Sequence, residues 1–122
     1  MYTGRRMDSP SCLFCRIVRK EIPARIVFED DQVVCFHDVS PQAPTHALVI
    51  PKIHLTSLLD ADASHGELLP ALVLGAQRAA RELGLAEGGF RTVINTGKDG
   101  GQSVFHLHVH VLGGRPLGWP PG

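Results

Sequence analysis

The sequence predicts an α+β fold: a five-stranded antiparallel sheet with one long and one short helix. Three observations carry this. Apolar runs rich in β-branched and aromatic residues follow one another with only turn-length breaks, as in consecutive hairpins. A single long segment, from about Ser64 to Leu83, has helical rather than alternating periodicity. Strands interrupted once by a helix fit an antiparallel α+β sheet better than a doubly wound parallel one.

Taken in order, "SPSCLFCRIVRKEI" has apolar residues at 13, 14, 17 and 18, the spacing of a short first helix, which Pro23 should end. "ARIVFEDD" and "QVVCFHDV" read as two strands around an acidic turn. "SPQAPT", with two prolines, is a loop, and "HALVIP" is a short buried third strand. The long segment places Leu68, Leu69, Leu72, Val73, Ala76, Ala79, Ala80 and Leu83 on one apolar stripe, with Gly84 where a helix would stop. "FRTVIN" is the fourth strand, "TGKDGGQS" a glycine-rich loop, and "VFHLHVHVL" the fifth strand.

The bulk numbers narrow the function classes. A chain of 122 residues is one domain, able to bury a core unaided. Twelve basic residues against 12 acidic ones leave no net charge, which argues against a nucleic-acid surface. No apolar run reaches membrane-spanning length, so no membrane partner is expected. The first residues, "MYTGRRMDSP", lack an apolar stretch after their arginines and read as a flexible leader over 1–11, with the domain following over 12–122; Met7 is an alternative start. Three cysteines, Cys12, Cys15 and Cys35, fit a reducing cytoplasm better than a disulfide framework.

The chemistry concentrates near the C-terminus. In a strand, alternate residues share a face about 6.7 Å apart. His106, His108 and His110 therefore project together, while Leu107, Val109 and Val111 face the other way. Three readings compete. A solvated face would carry Lys, Glu or Thr rather than three imidazoles. One metal ion would have to span about 13 Å from first to third histidine, although an adjacent pair could hold zinc. In the third reading a neutral imidazole attacks phosphorus and its neighbours fix the tautomer and handle protons. The upstream residues favour the third. Gly97, Gly100 and Gly101 let backbone N–H groups approach phosphate oxygens, Ser103 supplies a hydroxyl, and Asn95 ends the preceding strand.

On these residues the chain resembles the histidine triad superfamily of nucleotide hydrolases and transferases, whose signature matches "HLHVHVL". "FHDVSPQAPTHALVIPK", "DGGQSVFHLHVHVLGGR" and the terminal "WPPG" resemble its Hint branch, over roughly Cys12 to Gly122. The resemblance implies a homodimer whose two sheets join into one of ten strands, and hydrolysis of purine nucleoside 5′-phosphoramidates to AMP and an amine. It makes His108 the nucleophile, transiently adenylylated. His110 would hydrogen-bond the phosphate or bridging atom, and His106 would orient the cluster with His46. Asn95, Gly101, Gln102 and Ser103 would surround the phosphate and leaving group, and Asp38 and Val39 would bind the ribose. Phe14, Ile17, Ile22 and Phe36 match the base pocket, although apolar residues at such spacing are more often plain core. Asp38 alone could simply start a turn. His37 has no assigned role, and His54 and His65 read as solvated. Trp119, the only tryptophan, reads as packing at the dimer edge.

The Cys12-x-x-Cys15 pair is not needed for this chemistry. It can be redox-active, half a metal site or accidental, and it lacks the strand-then-helix context of thioredoxin-like folds. The resemblance suggests a closed structural zinc site of Cys12, Cys15, His46 and His106, against two free thiols beside two neutral imidazoles. Rival functions are a dinucleoside polyphosphate hydrolase of the Fhit type, and a nucleotide-binding regulatory or scaffold protein.

Overall fold

A computed structural model describes residues 11–122, so all but the last residue of the expected leader lies outside the described residues. The elements run α1 (Leu13–Val18), β1 (Ile26–Glu29), β2 (Val33–His37), β3 (Thr45–Pro51), α2 (Leu68–Glu82), β4 (Phe90–Val93) and β5 (Val109–Gly113). The strands form one antiparallel sheet in the order β1-β2-β3-β5-β4.

Helix α1 is only six residues long and stops well before Pro23. Lys20 adopts a left-handed φ of 65°, and its N–H bonds the Ile17 carbonyl while the N–H of Glu21 bonds that of Arg16. This paired closure satisfies the last carbonyls without a glycine. Helix α2 starts at Leu68 rather than near Ser64. Pro70 explains the shift: its ring would clash inside a longer helix but is tolerated in a first turn. The preceding residues form two 3₁₀ turns instead, Leu58–Asp60 and Ala63–His65, capped by the Ser57 and Asp62 side chains.

Each face of the sheet has its own core. On one, Leu72, Ala76 and Ala79 of α2 pack on Cys35, Val49, Leu107, Val109 and Val111. The helix comes close enough at Gly75 that a Cβ there would lie 2.9 Å from Val49 Cγ1. On the other, Phe14 and Ile17 of α1 cover Val34, Phe36, Leu48 and Ile50. The alternation expected around the histidines is therefore present, with the aliphatic residues under α2. The fifth strand itself is shorter than expected. Leu107 N–H turns aside to the Leu55 carbonyl, and the His106 carbonyl is taken by a side chain, so the ladder begins only at Val109.

None of the three cysteines forms a disulfide. No helix among the described residues is long and apolar enough to cross a membrane. Beyond β5 the tail is anchored by Arg91 of β4, whose guanidinium donates to the Leu117 and Gly118 carbonyls. Trp119 beyond it is 83% exposed.

Candidate active site and cysteine–histidine cluster

A cavity of about 270 Å³ opens on the α1 side of the sheet. Its walls include Phe14, Ile17, Ile22 and Phe36, together with Asp38, Val39, Ser103, His108 and His110. Nine of the residues named above for nucleotide binding thus meet around one space. Leu13, Pro23, Ala24, Leu48 and Val104 also line it; as ordinary apolar or small residues they carry no signal in the sequence.

The tautomers follow from hydrogen bonds. His108 is buried, and its Nδ1–H donates to the His106 carbonyl at 2.7 Å. A backbone carbonyl can only accept, so Nε2 is left as the lone-pair nitrogen. Burial pushes the His108 pKa below the usual histidine value, against the opposing effects of the His106 carbonyl and Asp38. The imidazole is therefore neutral at pH 7. Phe14 stands edge-on to it, with ring centroids 5.2 Å apart.

A second chain of bonds sets His110. The backbone N–H of Gln42 donates to His46 Nδ1 at 3.0 Å, which puts the His46 proton on Nε2. That nitrogen lies 2.8 Å from His110 Nδ1 and donates to it, so His110 carries its own proton on Nε2. Burial first, then the neighbouring His108 and His46, push the His110 pKa down to about 4. Burial also lowers that of His46, with Asp38 opposing. Asp38 Oδ1 accepts the Ser40 N–H at 2.8 Å, and its Oδ2 lies 3.4 Å from His46 Nε2. Asp38, His46 and His110 are close enough to suggest a metal set. The Gln42 N–H argues otherwise, because it keeps the facing nitrogen of His46 protonated.

The glycine loop is organised differently from expectation. Gln102 is buried, and its side chain is committed to the backbone. Oε1 accepts the Gly97 N–H at 2.9 Å, and Nε2 donates to the Thr56 and Val104 carbonyls at 2.7 and 3.1 Å. Asn95 Nδ2 likewise donates to the Gly100 carbonyl at 2.7 Å. Neither side chain lines the cavity; both hold the loop, in which Gly101 takes a φ of 77°. Ser103, next in the chain, does line it.

The remaining histidine joins the cysteines. Cys12, Cys15, His54 and His106 bring one ligand atom each to within 4.8 Å of the others. His106 Nδ1 lies 3.4 Å from Cys12 Sγ and 3.5 Å from Cys15 Sγ, while His54 Nδ1 lies 3.2 Å from Cys15 Sγ and 3.2 Å from His106 Nδ1. His106 Nε2–H donates to the Pro51 carbonyl at 2.9 Å, which turns the Nδ1 lone pair toward the sulfurs.

Two expectations are corrected here. His46 is not in this cluster, and His54 is. Strands β3 and β5 are antiparallel, with Thr45 opposite Gly113 and Val49 opposite Val109. Continuing that register, His106 comes level with Lys52, two residues from His54, whereas His46 lies six residues further along, about 20 Å away. His54 and His65 are also buried rather than solvated: His54 in the cluster, and His65 accepting the Asp62 N–H at Nδ1, 3.0 Å away.

Comparison with known proteins agrees with this geometry. Residues 19–117 match the HIT domain family. The chain is 50% identical over 120 residues to the 14 kDa zinc-binding protein of Zea mays, covering 97% of this chain and 93% of that one. It is 48% identical over 106 residues to the purine nucleoside phosphoramidase of Escherichia coli K12, covering 87% and 89%. Among solved structures, a HIT family hydrolase from Legionella pneumophila superposes with a TM-score of 0.89 at 48% identity, covering 92% of this chain and all of that one. Similarity of this extent, in sequence and in fold, shows that the chain belongs to the HIT domain family.

Proposed function

We propose that the protein hydrolyses purine nucleoside 5′-phosphoramidates to a nucleoside monophosphate and an amine, through a nucleotidyl intermediate on His108. One observation carries the reading: a neutral imidazole, its Nδ1–H spent on a carbonyl, borders a nucleotide-sized cavity with its lone-pair nitrogen unspent. The similarity to a purine nucleoside phosphoramidase supports it.

The chemistry follows from the geometry. The apolar wall of Phe14, Ile17, Ile22 and Phe36 takes the base, and the Asp38 carboxylate accepts from ribose hydroxyls beside Val39. His108 Nε2 attacks the α-phosphorus, forming a P–N bond to the imidazole as the P–N bond to the amine breaks. The His110 Nε2–H supplies a hydrogen bond to the phosphoryl group as charge develops on it. Ser103 orients the proton that the departing amine needs. Water then cleaves the phospho-imidazole and regenerates neutral His108. Intact-mass analysis of quenched turnover tests this. A nucleotide adduct on the wild type that disappears in His108→Ala supports the assignment, and an adduct persisting in that variant refutes it.

The cysteine–histidine cluster is a structural zinc site. A tetrahedron with Zn–S near 2.3 Å and Zn–N near 2.05 Å has edges of about 3.4–3.8 Å. The observed 3.2–3.5 Å separations sit close to those values before any ion draws the ligands into place. When bound, zinc supplies a closed four-ligand junction and no open coordination position for chemistry. The relative named a zinc-binding protein is consistent with this. Elemental analysis of protein purified without chelators should find about one zinc per chain; well under that refutes the site.

The protein acts in the cytoplasm as a homodimer. Strand β4 lies at one end of the sheet, and Phe90 and the nearby Ile94 are exposed there, so a second copy pairing edge to edge would give ten strands. A stable, active monomer in sedimentation at micromolar concentration would contradict this.

A further inference from the structure

The helix that carries the two cysteines is also a wall of the nucleotide cavity. Cys12 caps α1, and Cys15 is buried within its first turn. Leu13, Phe14 and Ile17 of the same helix line the cavity. Phe14 touches both the base wall and the nucleophile, with ring centroids 5.5 Å from Phe36 and 5.2 Å from His108. The polar ties from α1 to the rest of the site run through sulfur, from Cys12 and Cys15 to His54 and His106. His106 in turn holds His108 through its carbonyl. Whatever happens at the two sulfurs is therefore transmitted to the base wall and to the nucleophile.

The same two sulfurs meet the requirements of a disulfide. Residues three apart in a helix have Cα atoms about 5 Å apart, inside the span a disulfide bridges. The sulfurs lie within 4.8 Å of each other. Cys12 is part-exposed and borders a second cavity of about 460 Å³, while Cys15 is buried. An oxidant entering there meets Cys12 first, with Cys15 placed as the resolving thiol. Cys35 is no competitor: it lies under α2, and burial pushes its thiol up to about 12.

We infer that Cys12 and Cys15 are a peroxide-sensitive dithiol whose oxidation releases α1 and loosens the nucleotide cavity. The inference takes the zinc reading above as its resting state. The Cys12 thiolate attacks a hydroperoxide oxygen; the O–O bond breaks, leaving a sulfenic acid and one water or alcohol after protonation. The Cys15 thiolate attacks the Cys12 sulfur; the S–O bond breaks, the S–S bond forms, and a water leaves. The two sulfurs together lose two electrons, the peroxide gains them, and solvent supplies two protons. Zinc is released without changing oxidation state, because the disulfide presents no thiolates and two histidines alone cannot close the site.

The test uses the whole protein, reduced and zinc-loaded, titrated with hydrogen peroxide. A chromogenic chelator should report zinc release in step with a Cys12–Cys15 crosslinked peptide lighter by two hydrogens. AMP binding by the same samples should weaken roughly tenfold, the scale of losing one or two aromatic edge contacts. Reductant plus zinc should restore it. Cys12→His keeps four nitrogen or sulfur ligands but cannot form the disulfide, so it should hold zinc and AMP through the same titration. Should that variant fail to fold, the reversal in the wild type decides. Zinc release with unchanged AMP affinity overturns the coupling. Oxidation that stops at a sulfinic acid on Cys12, with Cys15 unmodified, overturns the dithiol. Reduced protein that never contains zinc refutes the zinc reading alone, because disulfide mapping and AMP affinity still read the inference directly.

Discussion

Replacing His46 with alanine separates the two histidine clusters. His46 is 5% exposed and makes two bonds that fix proton positions: it accepts from Gln42 N–H at 3.0 Å and donates to His110 Nδ1 at 2.8 Å. Truncation removes the part-buried Gln42 N–H bond, at a cost of about 0.5–1.5 kcal/mol. Lost packing adds to that, so unfolding should ease by about 2–4 kcal/mol. His110, without its donor, is free to carry its proton on Nδ1, and the Nε2–H aimed at the phosphoryl group is lost. Removing one such preorganised donor costs about 10²–10³ in rate. Single-turnover kinetics should place that loss in formation of the His108 adduct, with AMP affinity little changed. Zinc content should stay at the wild-type level, since His46 is remote from the cysteines. An unchanged first step would refute the proton relay, and loss of zinc would show that His46 and not His54 closes the metal site.

Three further outcomes follow from the same geometry. His54→Ala should abolish zinc binding and lower the melting temperature; chelation of the wild type should likewise reduce thermal stability more than it reduces activity in the cold, and equal losses would point to a catalytic role. Ser103→Ala should slow adduct formation by about 10² while leaving hydrolysis of the adduct unchanged, which rapid-quench kinetics would read. Acid should destabilise the fold: His46, His108 and His110 are neutral in the native state at pH values where the unfolded chain binds protons. Stability is therefore complete above the ordinary histidine value near 6.5 and falls as pH drops, until His110 itself titrates near pH 4. Chemical denaturation across that window showing flat or rising stability would contradict the lowered values.

Much of this protein is legible along the chain because the relevant physics is local. Alternation of histidine with Leu107, Val109 and Val111 is enough to put the imidazoles on one face, since side chains in an extended chain alternate whatever their surroundings. The hairpin of β1 and β2, the loop at "SPQAPT" and the single long helix are likewise set by composition and period. Pro70 could have corrected the start of α2 from the sequence, because a proline ring is tolerated in a helix only within its first turn. Resemblance over nearly the whole chain pointed to the nucleotide chemistry, and residues such as Phe14, Asp38 and Ser103 do converge on one cavity.

What lay beyond the sequence was decided by register and by hydrogen-bond partners. Which histidine meets Cys12 and Cys15 depends on how β3 lies against β5: antiparallel pairing sets His46, near the start of β3, opposite Leu112, and brings His54, three residues beyond its end, close to His106. Gln102 stands where a phosphate ligand was expected, yet its amide closes the glycine loop, a choice made only when Gly97, Thr56 and Val104 come within reach. The imidazole protons around the cavity were placed by the carbonyl of His106 and the N–H of Gln42, and that of His106 by the carbonyl of Pro51. Residue type determines that a histidine can be donor, acceptor or ligand; only its neighbours in three dimensions determine which, because the alternatives differ by a single proton that the nearest backbone group places.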